Sequence, residues 1–248
     1  SDEAESESTS DQKTFTVGFD AEFPPYGYRD ESGEYVGFDL DLAEEVCNRQ
    51  GWELVKQPID WDSKDMELDS GAIWNGFTMN GREDEYTWSE PYIDNSQVFV
   101  VAADSGIENK SDLAGKVVAV QKDSSALAAL NDEENKDNIA LRDSFSQLIE
   151  YADYNTAFMH LEQGAVEAVA IDIGVAQYQI DKREEGAYVM LDGDDNKLAS
   201  EQYAVGFKKG NEELRDTVQN TLDDMVKDGT FAEIAEKWGL TDSVCLGK

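Results

Sequence analysis

The chain has 248 residues, 40% of them hydrophobic, which is enough for one large domain or two of roughly 100 residues each. It carries 20 basic and 55 acidic residues, a formal net charge of −35. That charge repels phosphate, so nucleic acid and anionic membrane surfaces are excluded as partners. The single histidine and two cysteines exclude a Cys/His metal cluster and argue against a histidine-based catalytic triad.

Residues 1–12 are acidic and rich in serine, and we expect them to form a disordered linker. They lack the basic and apolar regions of a secretory signal, and no apolar run approaches the roughly 20 residues of a membrane span. The segment is either a plain disordered terminus or the spacer left after removal of a signal and lipid-anchor sequence.

The first half of the chain alternates strand and helix patterns, which predicts a parallel sheet with right-handed crossovers. We expect Asp39 or Asp41 to cap the first helix and Gly51 to end it. The predicted elements are a strand at 13–19, a helix at 38–51, a strand at 52–60, a short helix at 61–71 and a strand at 72–77.

The rest of the chain continues the α/β pattern. A buried strand that stops at Asp172 opens directly into a helix. The other predicted elements are strands at 96–102, 116–121 and 203–210, a helix after 123, helical material over 139–164, and two amphipathic helices at 211–229 and 230–239.

Charged and polar residues follow several of these strands, where ligands bind in open parallel sheets. Arg82 offers a guanidinium that matches a carboxylate, and Asp172 offers a carboxylate for a cation. Ser124 and Ser125 stand where a helix begins, and they and Asp172 could simply cap helices. The combination of charges is the pattern of a pocket for a zwitterion. Aromatic faces come from Phe23 and Trp61.

Long segments resemble the amino-acid-binding proteins of ABC importers, the two-lobed extracellular solute-binding proteins. They include "VGFDAEFPPYGYRDESGEYVGFDLDLAEEV", "DLAGKVVAVQKDSS" and "HLEQGAVEAVAID", and the resemblance covers about nine-tenths of the chain. It implies an α/β fold with two Rossmann-like lobes, parallel or mixed sheets and a two-strand hinge, the type II periplasmic binding protein fold. The implied lobes are residues 13–93 with 203–248, and residues 94–202.

The resemblance also implies the ligand contacts of the first lobe. Arg82 lies nine residues before Pro91 of "SEPY" and corresponds to the family's carboxylate-binding arginine. Thr78 and the Gly76 backbone match groups that bind the ligand's backbone. Thr78 precedes Arg82 by four residues, one fewer than the family's usual spacing. The remaining first-lobe positions are Phe23, which packs over the ligand, Trp61, a second apolar wall, and Asp20, near the ligand's side chain.

In the second lobe, Ser125 matches the hydroxyl that meets the carboxylate, and Gln121 matches a lining position. Asp172 matches the aspartate that binds the α-ammonium group. The family's usual glycine before the serine pair is Asp123 here. The family's return of the chain to the first lobe implies a disulfide between Cys47 and Cys245.

The function implied by the resemblance is capture of an L-α-amino acid in the cleft between the lobes and delivery to the permease subunits of an ABC importer. It implies no catalysis, no cofactor, a monomer, and an extracellular or periplasmic lipoprotein. Two alternatives stay open: an enzyme on the same scaffold, such as a dehydratase of a cyclic carboxylic acid, and a sensory ectodomain. The ligand's identity is also open, because Trp61, Trp74 and Phe23 suit an apolar side chain whereas Asp20 and Glu22 suit a cationic one.

Overall fold

This computed structural model describes residues 12–59, 71–191 and 193–248, which divide into two compact units. Unit 1 contains the chain up to Asp94 and again Glu201–Lys248, and unit 2 is Asn95–Ser200. The chain therefore passes from one unit to the other twice. The short helix expected at 61–71 lies, apart from its last residue, outside the described residues.

The first segment of unit 1 contains short strands and one long helix. The helix ends at Gly51, which has φ 74°, as its sequence predicts. The predicted cap is wrong, because Gly37 is the N-cap residue and Asp39 lies inside the first turn, fully buried. The elements are β1 (Thr14–Phe19), β2 (Glu22–Phe23), β3 (Gly27–Arg29), β4 (Tyr35–Val36), α1 (Phe38–Gln50), β5 (Glu53–Pro58), β6 (Gly71–Ile73), β7 (Tyr86–Trp88) and β8 (Ile93–Asp94).

Unit 2 and the second segment of unit 1 complete the chain. The strand that stops at Asp172 and opens a helix is confirmed, as are the two C-terminal helices. Helices of the described ranges all lack the length and apolar character of a membrane span. The elements are β9 (Gln97–Ala102), β10 (Val117–Gln121), α2 (Ser125–Leu130), α3 (Lys136–Ser144), β11 (Gln147–Tyr151), α4 (Tyr154–Glu162), β12 (Ala168–Asp172), α5 (Ile173–Asp181), β13 (Tyr188–Met190), β14 (Gln202–Tyr203), β15 (Gly206–Lys208), α6 (Glu212–Asp228) and α7 (Thr230–Lys237).

Each unit is built on a five-stranded mixed sheet, so the predicted α/β class is confirmed. The order in unit 1 is β5-β1-β6-β15-β7, in which β5, β1 and β6 are parallel. The order in unit 2 is β11-β10-β12-β9-β13, in which β11, β10 and β12 are parallel. The carboxyl ends of three parallel strands therefore share one edge of each sheet, where the loops that follow them collect.

Apolar residues at alternate positions of the strands form the two cores. In unit 1, Phe15 and Phe19 of β1 are buried with Phe38 of α1 and Phe231 of α7. In unit 2, Val118 and Val120 of β10 are buried with Ala168 and Ala170 of β12 and with Phe99 of β9. The small alanines of β12 fit a strand that lies in the middle of its sheet.

Strand β11 was not predicted, since residues 139–164 were assigned to helical material. It lies at the edge of the unit 2 sheet and has only two half-buried apolar residues, Leu148 and Ile149, between polar ones. An edge strand buries little surface, so its apolar pattern is too short to separate it from the flanking helices. The single strand predicted at 203–210 is also divided, into β14 and β15.

The two passages of the chain between the units run beside each other. In unit 1, β8 pairs antiparallel with β14, so that Asp94 lies opposite Gln202. In unit 2, Gln97 forms an antiparallel bridge with Ala199. Backbone pairing therefore joins the outgoing and returning segments on both sides of the boundary.

The expected disulfide is wrong, because Cys47 and Cys245 are both free. Cys47 lies on the buried face of α1, where burial and then Glu44 raise its pKa to about 12. Cys245 donates its backbone N–H to the carbonyl of Tyr92, and burial and then Asp94 raise its pKa.

Candidate functional site

The loop after β6 in unit 1 contains a glycine that no other residue can replace without strain. Gly76 has φ +53°, and a Cβ there would lie 2.6 Å from Cε1 of Phe23 and 3.0 Å from Cε2 of Tyr203. The Phe23 ring also stacks on Tyr26, with ring centroids 5.3 Å apart. The Gly76 backbone therefore packs directly against an aromatic wall.

A buried carboxylate fixes the amide of this glycine. Gly76 donates its N–H to Oδ2 of Asp39 at 2.6 Å, and Tyr92 donates its hydroxyl to Oδ1 at 2.6 Å. Burial raises the pKa of Asp39 to about 7, and the bonds from Tyr92 and Gly76 oppose that rise. Because both oxygens of the carboxylate face this loop and Tyr92, neither caps α1.

Arg82 extends the same loop. Its Nη1 donates to the carbonyl of Thr78 at 2.8 Å, and its guanidinium lies 5.0 Å from the centroid of the Phe77 ring. Among the ion pairs of the described ranges, none involves Arg82, although the chain has 55 acidic residues. The half-buried guanidinium is oriented by neutral groups and retains its attraction for an anion.

The other expected positions of unit 1 lie at the ends of the same sheet. Thr78 forms an antiparallel bridge with Tyr203, and its hydroxyl lies 3.4 Å from Oε2 of Glu201. Asp20 follows β1 and accepts the N–H of Glu22 at 2.9 Å, so its carboxylate closes a tight turn. Trp61 lies outside the described residues. We call Asp20, Phe23, Gly76, Thr78 and Arg82 the unit 1 half-site.

In unit 2, Asp172 ends β12 and precedes α5. It is the N-cap residue of α5, but its side chain makes no capping bond, so simple capping does not explain it. Instead, its Oδ1 accepts a hydrogen bond of 3.0 Å from Nε2 of Gln97, which also donates to the carbonyl of Asn95 at 2.9 Å. Gln97 is fully buried, so it fixes one oxygen of the half-buried Asp172 carboxylate.

Ser124 and Ser125 of unit 2 have different positions relative to helix α2. Ser124 caps α2 by accepting the N–H of Leu127 at 3.1 Å, so Ser125 is the first helical residue and its hydroxyl is not the cap. Asp123 has φ +56°, the left-handed conformation that glycine adopts readily. Gln121 ends β10 and donates its side-chain N–H to the carbonyl of Ala152 at 3.1 Å. We call Gln121, Ser125 and Asp172 the unit 2 half-site.

A tyrosine that the sequence did not point to lies beside this half-site. Tyr154 opens α4 and is 8% exposed, and its buried hydroxyl forms no hydrogen bond of normal geometry within the described part of the chain. Burial and then the Asp172 carboxylate raise its pKa, while Ser124 and the Gln121 backbone oppose the rise.

Sequence reasoning missed three residues around the half-sites: Asp39, Gln97 and Tyr154. Only Asp39 carried a usable signal, because an aspartate in the first turn of an apolar helix is a polar residue at a core position. Gln97 and Tyr154 act on residues far along the chain, and no local pattern marks them.

With this geometry, the chain can be compared with known proteins. A family model, bacterial extracellular solute-binding proteins, family 3, matches residues 15–241. The chain belongs to this family of solute-binding proteins.

Individual members of the family show what the chain resembles. It is 28% identical over 231 residues to the L-cystine-binding protein TcyJ of Escherichia coli strain K12, covering 91% of this chain and 82% of the relative. A polar amino acid ABC uptake transporter substrate-binding protein from Streptococcus thermophilus has a TM-score of 0.79 and 31% identity, covering 96% of this chain and 90% of that structure. A substrate-binding protein from Streptococcus pneumoniae with bound histidine has a TM-score of 0.70 and 32% identity, covering 91% and 92%.

Proposed function

We propose that the protein binds an L-α-amino acid through both half-sites and delivers it to an ABC importer. The observation that carries the proposal is the separation of charge: an arginine without an ion-pair partner among the described residues of unit 1, and an amide-oriented aspartate in unit 2. A free amino acid carries the matching carboxylate and ammonium groups. The names of the similar proteins point to the same class of ligand.

Each residue has a proposed role. Arg82 binds the α-carboxylate as a bidentate donor, with Thr78 and the Gly76 backbone beside it, and Ser125 donates to the same carboxylate. Asp172 binds the α-ammonium group. Phe23 packs against the ligand, while Asp20, Gln121 and Trp61 line the place of its side chain.

In this proposal the protein catalyses no reaction. It acts as a monomer, and its ligand-bound form binds the permease subunits of the importer. The importer recognises the loaded conformation. Binding raises the population of that conformation, because the ligand supplies contacts that stabilise it. The family acts outside the cytoplasm, as its description says. We further propose attachment to the membrane by a lipid on a segment preceding residue 1, which mass spectrometry of the protein from its native membrane would detect.

A calorimetric panel tests the function. The twenty standard L-amino acids and L-cystine are titrated into the protein, and we expect one or a few to bind with a stoichiometry of one. Arg82→Ala should weaken the best of them by about 10- to 150-fold, since a hydrogen bond to a charged group contributes roughly 1.5–3 kcal/mol.

The matched control for this panel is Arg215→Ala. Arg215 is also half-buried in unit 1, where it donates to the carbonyl of Trp88, but it already pairs with Asp216. Its loss should leave the affinity unchanged. Equal affinity of Arg82→Ala and the unsubstituted protein would refute the assignment of Arg82, and turnover of a bound compound would refute the non-catalytic function.

A further inference from the structure

Asp39 is a carboxylate with no exposure and an unusual set of partners. Both donors that reach it, the Gly76 amide and the Tyr92 hydroxyl, lie at 2.6 Å. Gly76 and Tyr92 lie 37 and 53 residues after Asp39 in the chain. The carboxylate therefore joins the first turn of α1 to the loop after β6 and to the segment that enters β8.

The loop that Asp39 anchors carries three residues of the unit 1 half-site, Gly76, Thr78 and Arg82. Two residues after Gly76, the carbonyl of Thr78 accepts a hydrogen bond from the Arg82 guanidinium. Thr78 also forms an antiparallel β-bridge with Tyr203. The orientation of Arg82 thus depends on a backbone whose first residue is bonded to Asp39. Because Gly76 has a positive φ and no space for a Cβ, a glycine is needed at this position, and its own backbone freedom makes the bond to Asp39 the contact that fixes its amide.

We propose that Asp39 is a positioning residue for the unit 1 half-site: its ionised carboxylate fixes the Gly76 amide and with it Thr78 and Arg82, so that affinity for the amino acid rises when Asp39 loses its proton. This proposal rests on the proposed function and adds a regulation to it.

The chemistry sets the direction of the effect. An ionised carboxylate accepts both the N–H and the O–H bond with the added strength of its charge. Once protonated, it accepts them as a neutral group and its own proton competes with the Tyr92 hydroxyl. The anchor of the loop weakens, and by linkage, binding of the amino acid must lower the pKa of Asp39.

The groups around Asp39 place this change near neutral pH. Burial raises its pKa to about 7, opposed by the hydrogen bonds from Tyr92 and Gly76 and, least of all, by the nearby Trp74 indole. The titratable groups that face it are Tyr92 and, beyond it, Tyr26, whose backbone carbonyl accepts the Asp39 N–H at 3.1 Å. Within the described ranges, no cation contributes to the pKa of Asp39.

The test measures affinity from pH 5.5 to 8.0 at constant salt, with L-arginine, L-glutamine and L-glutamate as probes because none of their groups has its pKa in that range. We expect the unsubstituted protein to bind the best probe about 10-fold more tightly at pH 8.0 than at pH 5.5, the difference between charged and neutral bonds. Asp39→Asn mimics the protonated carboxyl, so it should bind at every pH as weakly as the unsubstituted protein does at pH 5.5.

Tyr92→Phe is a second test variant, which keeps the proposal testable if Asp39→Asn fails to fold. It keeps the aromatic ring but removes a bond that lowers the pKa of Asp39, so the midpoint of the profile should move to higher pH. His160→Gln is the matched control, because His160 is the only histidine and lies on α4 of unit 2. It should leave the profile unchanged.

A third measurement needs no ligand. The NMR signal of the Gly76 amide should titrate near pH 7 in the unsubstituted protein and stay constant in Asp39→Asn. A constant Gly76 signal in the unsubstituted protein, or pH profiles that run parallel in Asp39→Asn and the unsubstituted protein, would overturn the proposal. A titrating amide together with no binding of any of the three probes or the amino-acid panel would overturn the proposed function instead.

Discussion

The two half-sites orient charges of opposite sign with neutral partners. In unit 1, the Arg82 guanidinium donates to the carbonyl of Thr78 and lies against the ring of Phe77. In unit 2, the Asp172 carboxylate accepts from the amide of Gln97. A neutral partner fixes direction without cancelling charge, and the Arg82 guanidinium can therefore still attract an anion from solution.

The half-sites differ in the reach of the contacts that build them. Unit 1 depends on a carboxylate that bonds to residues 37 and 53 positions away. In unit 2, the Ser124 cap acts over three residues and Asp172 follows directly from its strand. The long-range side-chain bonds of the unit 2 half-site include that of Gln97 to Asp172, over 75 residues, and that of Gln121 to the carbonyl of Ala152, over 31. Because Asp39 is fully buried, a change inside the unit 1 core should reach its half-site directly.

The opposite charges predict opposite responses to altered ligands. Asp172→Asn should weaken the best amino acid about 100-fold, since it removes a charged partner of the ammonium. It should leave unchanged the affinity for the corresponding α-hydroxy acid, which has no ammonium group. Arg82→Ala should weaken the amino acid in the same way. It should leave unchanged the affinity for the methyl ester of that amino acid, which has no carboxylate charge. Calorimetry measures both series.

Asp153→Asn is the control for the Asp172 series. Asp153 is also an aspartate at a helix N-cap of unit 2, but it accepts the N–H of Thr156 at 2.7 Å and so has a structural task. Asparagine also accepts that N–H as an N-cap residue, so the replacement should leave the fold and the affinity for both ligands unchanged. If Asp172→Asn weakened the amino acid and the hydroxy acid equally, the proposed assignment of the ammonium group would be wrong.

The buried carboxylate of unit 1 also predicts a dependence of stability on pH. The folded pKa of Asp39 is raised from 3.8 to about 7, so between these values the folded protein binds a proton that the unfolded chain does not. The free energy of unfolding contributed by Asp39 is then greatest below about pH 4 and decreases as pH rises to about 7. The slope should be about 1.4 kcal/mol per pH unit.

The difference between the unsubstituted protein and Asp39→Asn isolates this slope from the repulsion among the other acidic residues. Denaturant unfolding of both proteins at pH 4, 5, 6 and 7 provides it, with tryptophan fluorescence as the signal. A difference that is constant over this range would show that Asp39 has no raised pKa.

The same contrast in reach explains how much the sequence could predict. The strand ending at Asp172, the Gly51 stop and the C-terminal helices follow from local patterns, and the structure confirms them. The resemblance supplied the residues of the half-sites, and the structure describes all of them except Trp61. Their roles in binding stay predictions.

The rest depended on contacts that no local pattern contains. Asp39 was taken for a helix cap because aspartate in a first turn usually has that role. Its actual partners, Gly76 and Tyr92, are adjacent only after β6 and β8 are in place. The disulfide expected for Cys47 and Cys245 was also wrong, since both cysteines are free.

The smallest expected effect concerns the amide that orients Asp172. Gln97→Leu keeps the volume of a buried side chain but removes the donor, so the carboxylate loses one fixed direction. We expect binding of the best amino acid to weaken about 5-fold, the equivalent of one neutral hydrogen bond, and binding of its α-hydroxy acid to stay unchanged.

Gln219→Leu in unit 1 separates this effect from loss of stability. Gln219 is also buried and also donates to an aspartate, Oδ1 of Asp223, at 3.0 Å, but it lies on α6 and outside both half-sites. Both variants should therefore be destabilised to a similar extent, and only Gln97→Leu should bind the amino acid more weakly. Equal affinities in the two variants would show that Asp172 is oriented without Gln97. The contrast with the unit 1 half-site, which depends on Asp39, would then become sharper, because the longest-range side-chain bond of the unit 2 half-site would have no part in binding.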